Sequence, residues 1–159
     1  MRGSTVSRVL ASKSSKAKEG DIVSGSSGWT QYAVVREGNF DPVSQFPGLK
    51  APQDMLSLLG MTSLTAWVGM ADIGKPQAGE LVVVSGAAGA TGSVAGQIAK
   101  LKGAKVIGTA GSDEKCKWLV DELGFDLGLN YKDPDFKEKF KEATKDFIDV
   151  YYDNGKSLT

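Results

Sequence analysis

The chain has 159 residues, enough for one ordinary domain or one and a fragment. Hydrophobic residues at 41% and charged residues at 24% suit a packed core, and nineteen Lys+Arg against nineteen Asp+Glu leave no electrostatic footprint for nucleic acid or an anionic membrane. There is no histidine, which excludes a Ser-His-Asp triad, a histidine base and histidine metal ligands, and the single Cys116 points to a reducing, cytoplasmic compartment.

Up to about Phe46 the signals are short strands between turns. The first eighteen residues hold Arg2, Arg8, Lys13, Lys16, Lys18, several serines and no acid, a composition shared with transit peptides. Val6, Val9 and Leu10 fit a short strand better, and Ser7 to Ser12 is the segment expected. Gly20 to Gly25 is a second strand, with Ile22 and Val23 between glycines. Trp29 to Val35 is a third, alternating in period 2 but apolar on both faces. These strands are too few to close a barrel, so edges stay bare.

Pro42, Pro47 and Pro52 punctuate a connection, after which the period changes. Met55, Leu58 and Leu59 suggest a helical turn. Leu64, Trp67, Val68 and Ala71 stand at helical spacing, and Gly74-Lys75-Pro76 stops that helix. Strands are then expected at Glu80–Ser85, Lys105–Thr109, Leu127–Tyr131 and Ile148–Tyr152. Helices are expected between them at Gly92–Leu101, Asp113–Leu123 and Asp135–Lys145. This alternation implies right-handed βαβ units and a parallel sheet. Leu81 to Ala99 carries no charge, but four glycines and a short apolar core make it a strand, turn and helix rather than a membrane span.

Leu81-Val82-Val83-Val84-Ser85-Gly86-Ala87-Ala88-Gly89-Ala90-Thr91-Gly92 is the setting of a dinucleotide fingerprint. In G-x-G-x-x-G the first glycine is replaced by Ala87, while Gly89 and Gly92 fit. Gly89 lets backbone approach a pyrophosphate, and Gly92 lets the helix pack closely. The N–H groups of Ala90, Thr91 and Gly92 open a helix, where partial positive charge favours phosphate. The plain alternative is a turn softened by glycine with no ligand.

An NAD site places an acid at the end of the second strand for the ribose 2′-hydroxyl. Here the strand ends Gly108-Thr109-Ala110-Gly111-Ser112, with no acid before Asp113. The Ser112 hydroxyl and the Lys115 ammonium suit a 2′-phosphate. Asp113 and Glu114 otherwise read as favourable first-turn charges, and Lys115 as a solvated face. Two look-alikes are set aside. Gly155-Lys156-Ser157 lacks the glycine a phosphate loop needs, since Val150 holds that place. Tyr152 and Lys156 have Tyr-x-x-x-Lys spacing, but Asp153-Asn154-Gly155 makes a turn between them.

Gly60-Met61-Thr62-Ser63-Leu64-Thr65-Ala66-Trp67, Gly86 to Gly92 with Gly96-Gln97-Ile98-Ala99-Lys100, Gly111-Ser112-Asp113-Glu114-Lys115, Asn130-Tyr131-Lys132 and Asp153-Asn154 follow in series. This series resembles the zinc-independent medium-chain reductases of the leukotriene B4 dehydrogenase and prostaglandin reductase type. The resemblance implies an α/β fold: a partial Rossmann domain, or doubly wound parallel sheet, over residues 47–159. It is preceded by a remnant of a GroES-like β-domain over residues 1–46. It further implies NADP as cofactor and reduction of the C=C bond of enals and enones, small-molecule substrates, with no nucleic acid or membrane partner; self-association stays open. By the same resemblance Gly89, Ala90, Thr91 and Gly92 hold the pyrophosphate. Ser112, Lys115 and Tyr131 hold the 2′-phosphate, and Thr65 and Asn154 lie near the nicotinamide. No acid or base is identified. Members of that family are roughly twice as long, so a chain truncated at both ends is expected. A fragment that binds nucleotide or a partner without turnover is the alternative.

Overall fold

The computed structural model describes residues 3–155; Lys156 and Ser157, which belong to the two look-alike motifs, lie outside the described residues. The chain divides into two compact units, Met1–Met61 and Thr62–Thr159.

The first unit holds a three-stranded antiparallel sheet in the order β1-β2-β3, with β1 Thr5–Arg8, β2 Ile22–Gly25 and β3 Phe40–Pro42. Thr5 pairs with Gly25 and Arg8 with Ile22, so β1 starts and stops earlier than Ser7 to Ser12. Beyond Arg8 the chain turns, through Val9 N–H to the Asp21 carbonyl (2.9 Å) and Gly20 N–H to the Val9 carbonyl (2.9 Å). The third strand is not Trp29 to Val35. Val23 pairs with Pro42 and Gly25 with Phe40, so the second edge of β2 is taken by β3. The Trp29 segment is left irregular, with Trp29, Tyr32 and Val34 exposed. Alternation shows that a segment can be a strand, but a free edge decides whether it is one.

The second unit is a parallel sheet with helices on both faces. Its strands are β4 Leu81–Val84, β5 Lys105–Ala110, β6 Leu127–Asn130 and β7 Val150–Tyr152, in the order β6-β5-β4-β7. Its helices are α1 Met61–Trp67, which starts one residue before the unit, α2 Ala90–Leu101, α3 Asp113–Asp121 and α4 Phe136–Ala143. Each strand was legible within one or two residues. Three strands, β4, β5 and β6, are consecutive βαβ steps outward from β4, and then β7 returns to the other side of β4. That reversal of strand order puts a crevice outside the carboxyl ends of β4 and β7.

The pleat of β4 sorts the core. Val82 and Val84 are fully buried with Ala95 and Ala99 of α2, Leu119 of α3, and Ala66 and Met70. Val83, on the other face, joins Ile107, Leu129, Phe136 and Phe140. Period-2 strands apolar on both faces need helices on both faces, and this sheet has them.

After Trp67 the α1 helix widens into π-helical turns over Val68–Gly74, ending with Lys75 in the left-handed conformation (φ 46°). The buried face of the helix is Ser63, Ala66 and Met70, while Leu64, Trp67 and Val68 of the expected apolar stripe are exposed. Among the described residues no helix is long and apolar enough to cross a membrane.

Candidate dinucleotide site

The segment after β4 is a tight turn that calls for glycine at Gly86 and Gly92. Gly86 has φ +54°, and a Cβ there would lie 2.9 Å from the Asn154 carbonyl oxygen. Gly86, one residue before the Ala87 position of the template, thus takes the left-handed conformation of the turn. The repeat is Gly-x-x-Gly-x-x-Gly, with one residue more before Gly89 than the template allows. The signal was in the sequence, in the equal spacing of Gly86, Gly89 and Gly92. Gly92 carries the close approach: a Cβ there would meet the Gly86 carbonyl oxygen at 2.6 Å and the Ala87 Cα at 2.8 Å.

Gly89 caps α2 in an extended conformation (φ −83°, ψ 168°). Its own N–H donates to the Gly86 carbonyl (2.9 Å), and the first intrahelical bond is Ser93 N–H to the Gly89 carbonyl (2.9 Å). The N–H groups of Ala90, Thr91 and Gly92 thus precede the helical ladder and open toward the end of β4, where an anion is favoured. The Ala87 N–H donates to the Thr109 carbonyl (2.9 Å), fixing the turn to β5.

Ser85 ties this turn to β7. Its buried hydroxyl donates to Asp153 Oδ1 (2.7 Å) and accepts from Asn154 N–H (2.8 Å). The Asn154 carboxamide nitrogen lies 3.9 Å from where a Gly89 Cβ would stand, so Asn154 joins the glycine turn. Thr65, on α1, is linked to β7 through its backbone carbonyl, which accepts from the Tyr152 hydroxyl (3.4 Å). Burial raises the pKa of Tyr152. Burial, with the negative Asp153 adding to it, raises Tyr151 despite the Ser85 hydroxyl. Both phenols stay protonated near neutral pH.

A second group forms at the end of β5. Ser112 caps α3, its Oγ accepting from the Lys115 N–H (3.4 Å). Lys115 is exposed on the first turn of α3. Tyr131 follows β6 directly, and a Cβ on Gly111 would lie 2.6 Å from the Tyr131 hydroxyl oxygen. The phenol therefore lies over Gly111, beside Ser112. The structure thus brings Gly89, Ala90, Thr91, Gly92 and Asn154 together at the β4–β7 end. Ser112, Lys115 and Tyr131 stand at the neighbouring β5–β6 end, and Thr65 joins through backbone.

Residues 90–156 match the family described as "Zinc-binding dehydrogenase", and residues 1–43 that described as "N-terminal domain of oxidoreductase". Together the matches span more than two thirds of the chain. Prostaglandin reductase 1 of Bos taurus is 46% identical over 156 residues, covering 97% of this chain and 47% of that protein. The NADPH-dependent curcumin reductase of Escherichia coli (strain K12) is 42% identical over 154 residues, covering 97% and 44%. The crystal structure of CurA in complex with NADPH from Vibrio vulnificus superposes with a TM-score of 0.87 at 39% identity, over 98% of this chain and 46% of that one. The chain spans about half the length of the curated relatives it matches. A zinc site is not one its residues fit: there is no histidine, and among the described residues no three His, Cys, Asp or Glu are grouped.

Proposed function

We propose, for this member of the medium-chain dehydrogenase/reductase family, that it binds NADPH across the carboxyl ends of β4–β7 and belongs to a reductase of the C=C bond of enals and enones. Residues 47–159 are then the first half of the NADP-binding Rossmann domain and residues 1–46 the GroES-like remnant, in a cytoplasmic protein. The observation that carries the reading is the turn Gly86–Gly92 at the reversal of strand order, with the Ser112–Tyr131 group one strand away.

The residues fit the group. The N–H groups of Ala90, Thr91 and Gly92 hold the pyrophosphate, and the absent Cβ of Gly89 lets it come close. The Ser112 oxygen already accepts from Lys115 N–H, so its own O–H is left to donate to a 2′-phosphate. Lys115 adds positive charge, and the Tyr131 phenol is a second donor across Gly111. Asn154, held by Ser85, offers a carboxamide toward the other half of the cofactor. Bound NADPH supplies the hydride; the chain's residues bind and orient.

Calorimetric titration with NADPH and NADH tests the reading. NADPH is expected to bind at least tenfold more tightly, on the order of one charged hydrogen bond or more; equal affinity refutes it. The alternative is binding of the nucleotide without turnover. NADPH oxidation at 340 nm with a simple enone separates the two.

A further inference from the structure

Asp113 is the first acid beyond the end of β5 and stands on the first turn of α3, beside the residues proposed for the 2′-phosphate. It follows Ser112 directly and lies two residues from Gly111, over which the Tyr131 phenol sits. A carboxylate at this strand end accepts from a ribose 2′-hydroxyl and repels a 2′-phosphate. Exposed on the first turn of α3, its side chain has several staggered wells open to it. The structure shows what holds it. Asn130 closes β6, pairing with Ala110 at the end of β5. Its Nδ2 donates to Asp113 Oδ1 (2.8 Å), and its Oδ1 accepts from the Lys132 N–H (3.1 Å). The Lys132 N–H can face only the amide oxygen, so the amide nitrogen must face Asp113. The carboxamide is thus locked at both ends, and one Asp113 oxygen is committed to it.

We infer that Asn130 is a specificity-determining residue for the nucleotide's 2′ substituent. By engaging the Asp113 carboxylate, it keeps the β5 strand end receptive to a 2′-phosphate. The effect is on charge placement, and Asn130 need not touch the ligand. The inference rests on the proposed NADPH site and adds a residue that neither the fingerprint nor the Ser112–Lys115–Tyr131 group contains.

Two probes that differ only in the 2′-phosphate, 2′,5′-ADP and 5′-AMP, isolate the effect. Their dissociation constants are measured by calorimetry on the whole chain and its variants. Asn130→Ala is expected to weaken 2′,5′-ADP by about five- to tenfold while leaving 5′-AMP within about twofold, as a freed charge at several ångströms dictates. Adding Asp113→Asn should bring the ratio of the two constants back to within about twofold of the parent chain. A merely structural Asn130 would weaken both probes together and leave the ratio unmoved. An unchanged ratio in Asn130→Ala, or a lowered ratio that Asp113→Asn does not restore, overturns the inference. No preference for 2′,5′-ADP in the parent chain would instead remove the site reading, and that is visible before any variant is made.

Discussion

Replacing Gly89 and Gly92 in parallel separates what the turn does for the fold from what it does for a ligand. At Gly89 the backbone is extended (φ −83°, ψ 168°), a conformation open to any residue. A new Cβ would lie 3.1 Å from the Gly86 carbonyl oxygen, so that oxygen must yield by a few tenths of an ångström. Gly89→Val should therefore change stability by no more than about 1 kcal/mol. The same side chain occupies the space of the pyrophosphate and lifts it off the α2 N–H groups. Losing one or two charge-assisted hydrogen bonds costs roughly 2–4 kcal/mol, about a hundredfold in affinity. At Gly92 the Cβ would meet backbone at 2.6 and 2.8 Å, which no rotamer change relieves. Gly92→Ala should shift α2 from the turn at a cost of about 1–3 kcal/mol, partly offset by the better helix propensity of alanine. Urea unfolding followed by circular dichroism reads the stabilities, and calorimetry with NADPH reads the binding. Gly89→Val with native affinity and a native spectrum would refute the pyrophosphate assignment. Gly92→Ala with native stability would refute the packing argument.

Lys115→Ala should remove most of the preference for NADPH over NADH, on the order of 1–3 kcal/mol, with NADH affinity unchanged by calorimetry. Ser85→Ala leaves the Asp153 carboxylate and the Asn154 N–H without their bridge and should cost about 1–2 kcal/mol in urea unfolding, with weaker NADPH binding. Asp126 links α2 to β5, accepting from Lys100 Nζ (2.8 Å) and Val106 N–H (2.6 Å). Burial alone would raise its pKa, but these two donors outweigh burial and hold it below the usual carboxylate value. Its folded pKa is the lower one, so its contribution is present above the unfolded value and is lost as pH falls below about 4. The pair is partly exposed to solvent, so that contribution is under about 1 kcal/mol. Asp126→Asn should flatten the acid limb of stability against pH between about pH 5 and 3, and an unchanged limb would count against the linkage.

The parallel sheet was legible because β4 is a continuous apolar run that must be buried on both faces, with helical periods between the strands that follow it. The Trp29 segment was misread for a physical reason. Its alternation resembles a covered strand, but pairing belongs to the partner, and β2 pairs with Phe40–Pro42. On α1 the buried face carries the small Ser63 and Ala66 with Met70, so a stripe read from the large apolar residues Leu64 and Trp67 lies off it. At the site, glycine spacing pointed to the turn, while the positive φ of Gly86, outside the six-residue template, is seen only in the structure. The Tyr131–Gly111 and Asn130–Asp113 contacts depend on the register that sets Ala110 beside Asn130. No local pattern encodes that register.

Backbone amide chemical shifts of the labelled chain, followed on addition of NADPH, test the central claim most directly. They report the site residue by residue and need no turnover. The largest shifts are expected at Gly89, Ala90, Thr91 and Gly92, with a second group at Ser112, Lys115 and Tyr131 that NADH fails to move. Shifts confined to other residues, or the same pattern from both nucleotides, would contradict the placement of NADPH across the ends of β4–β7.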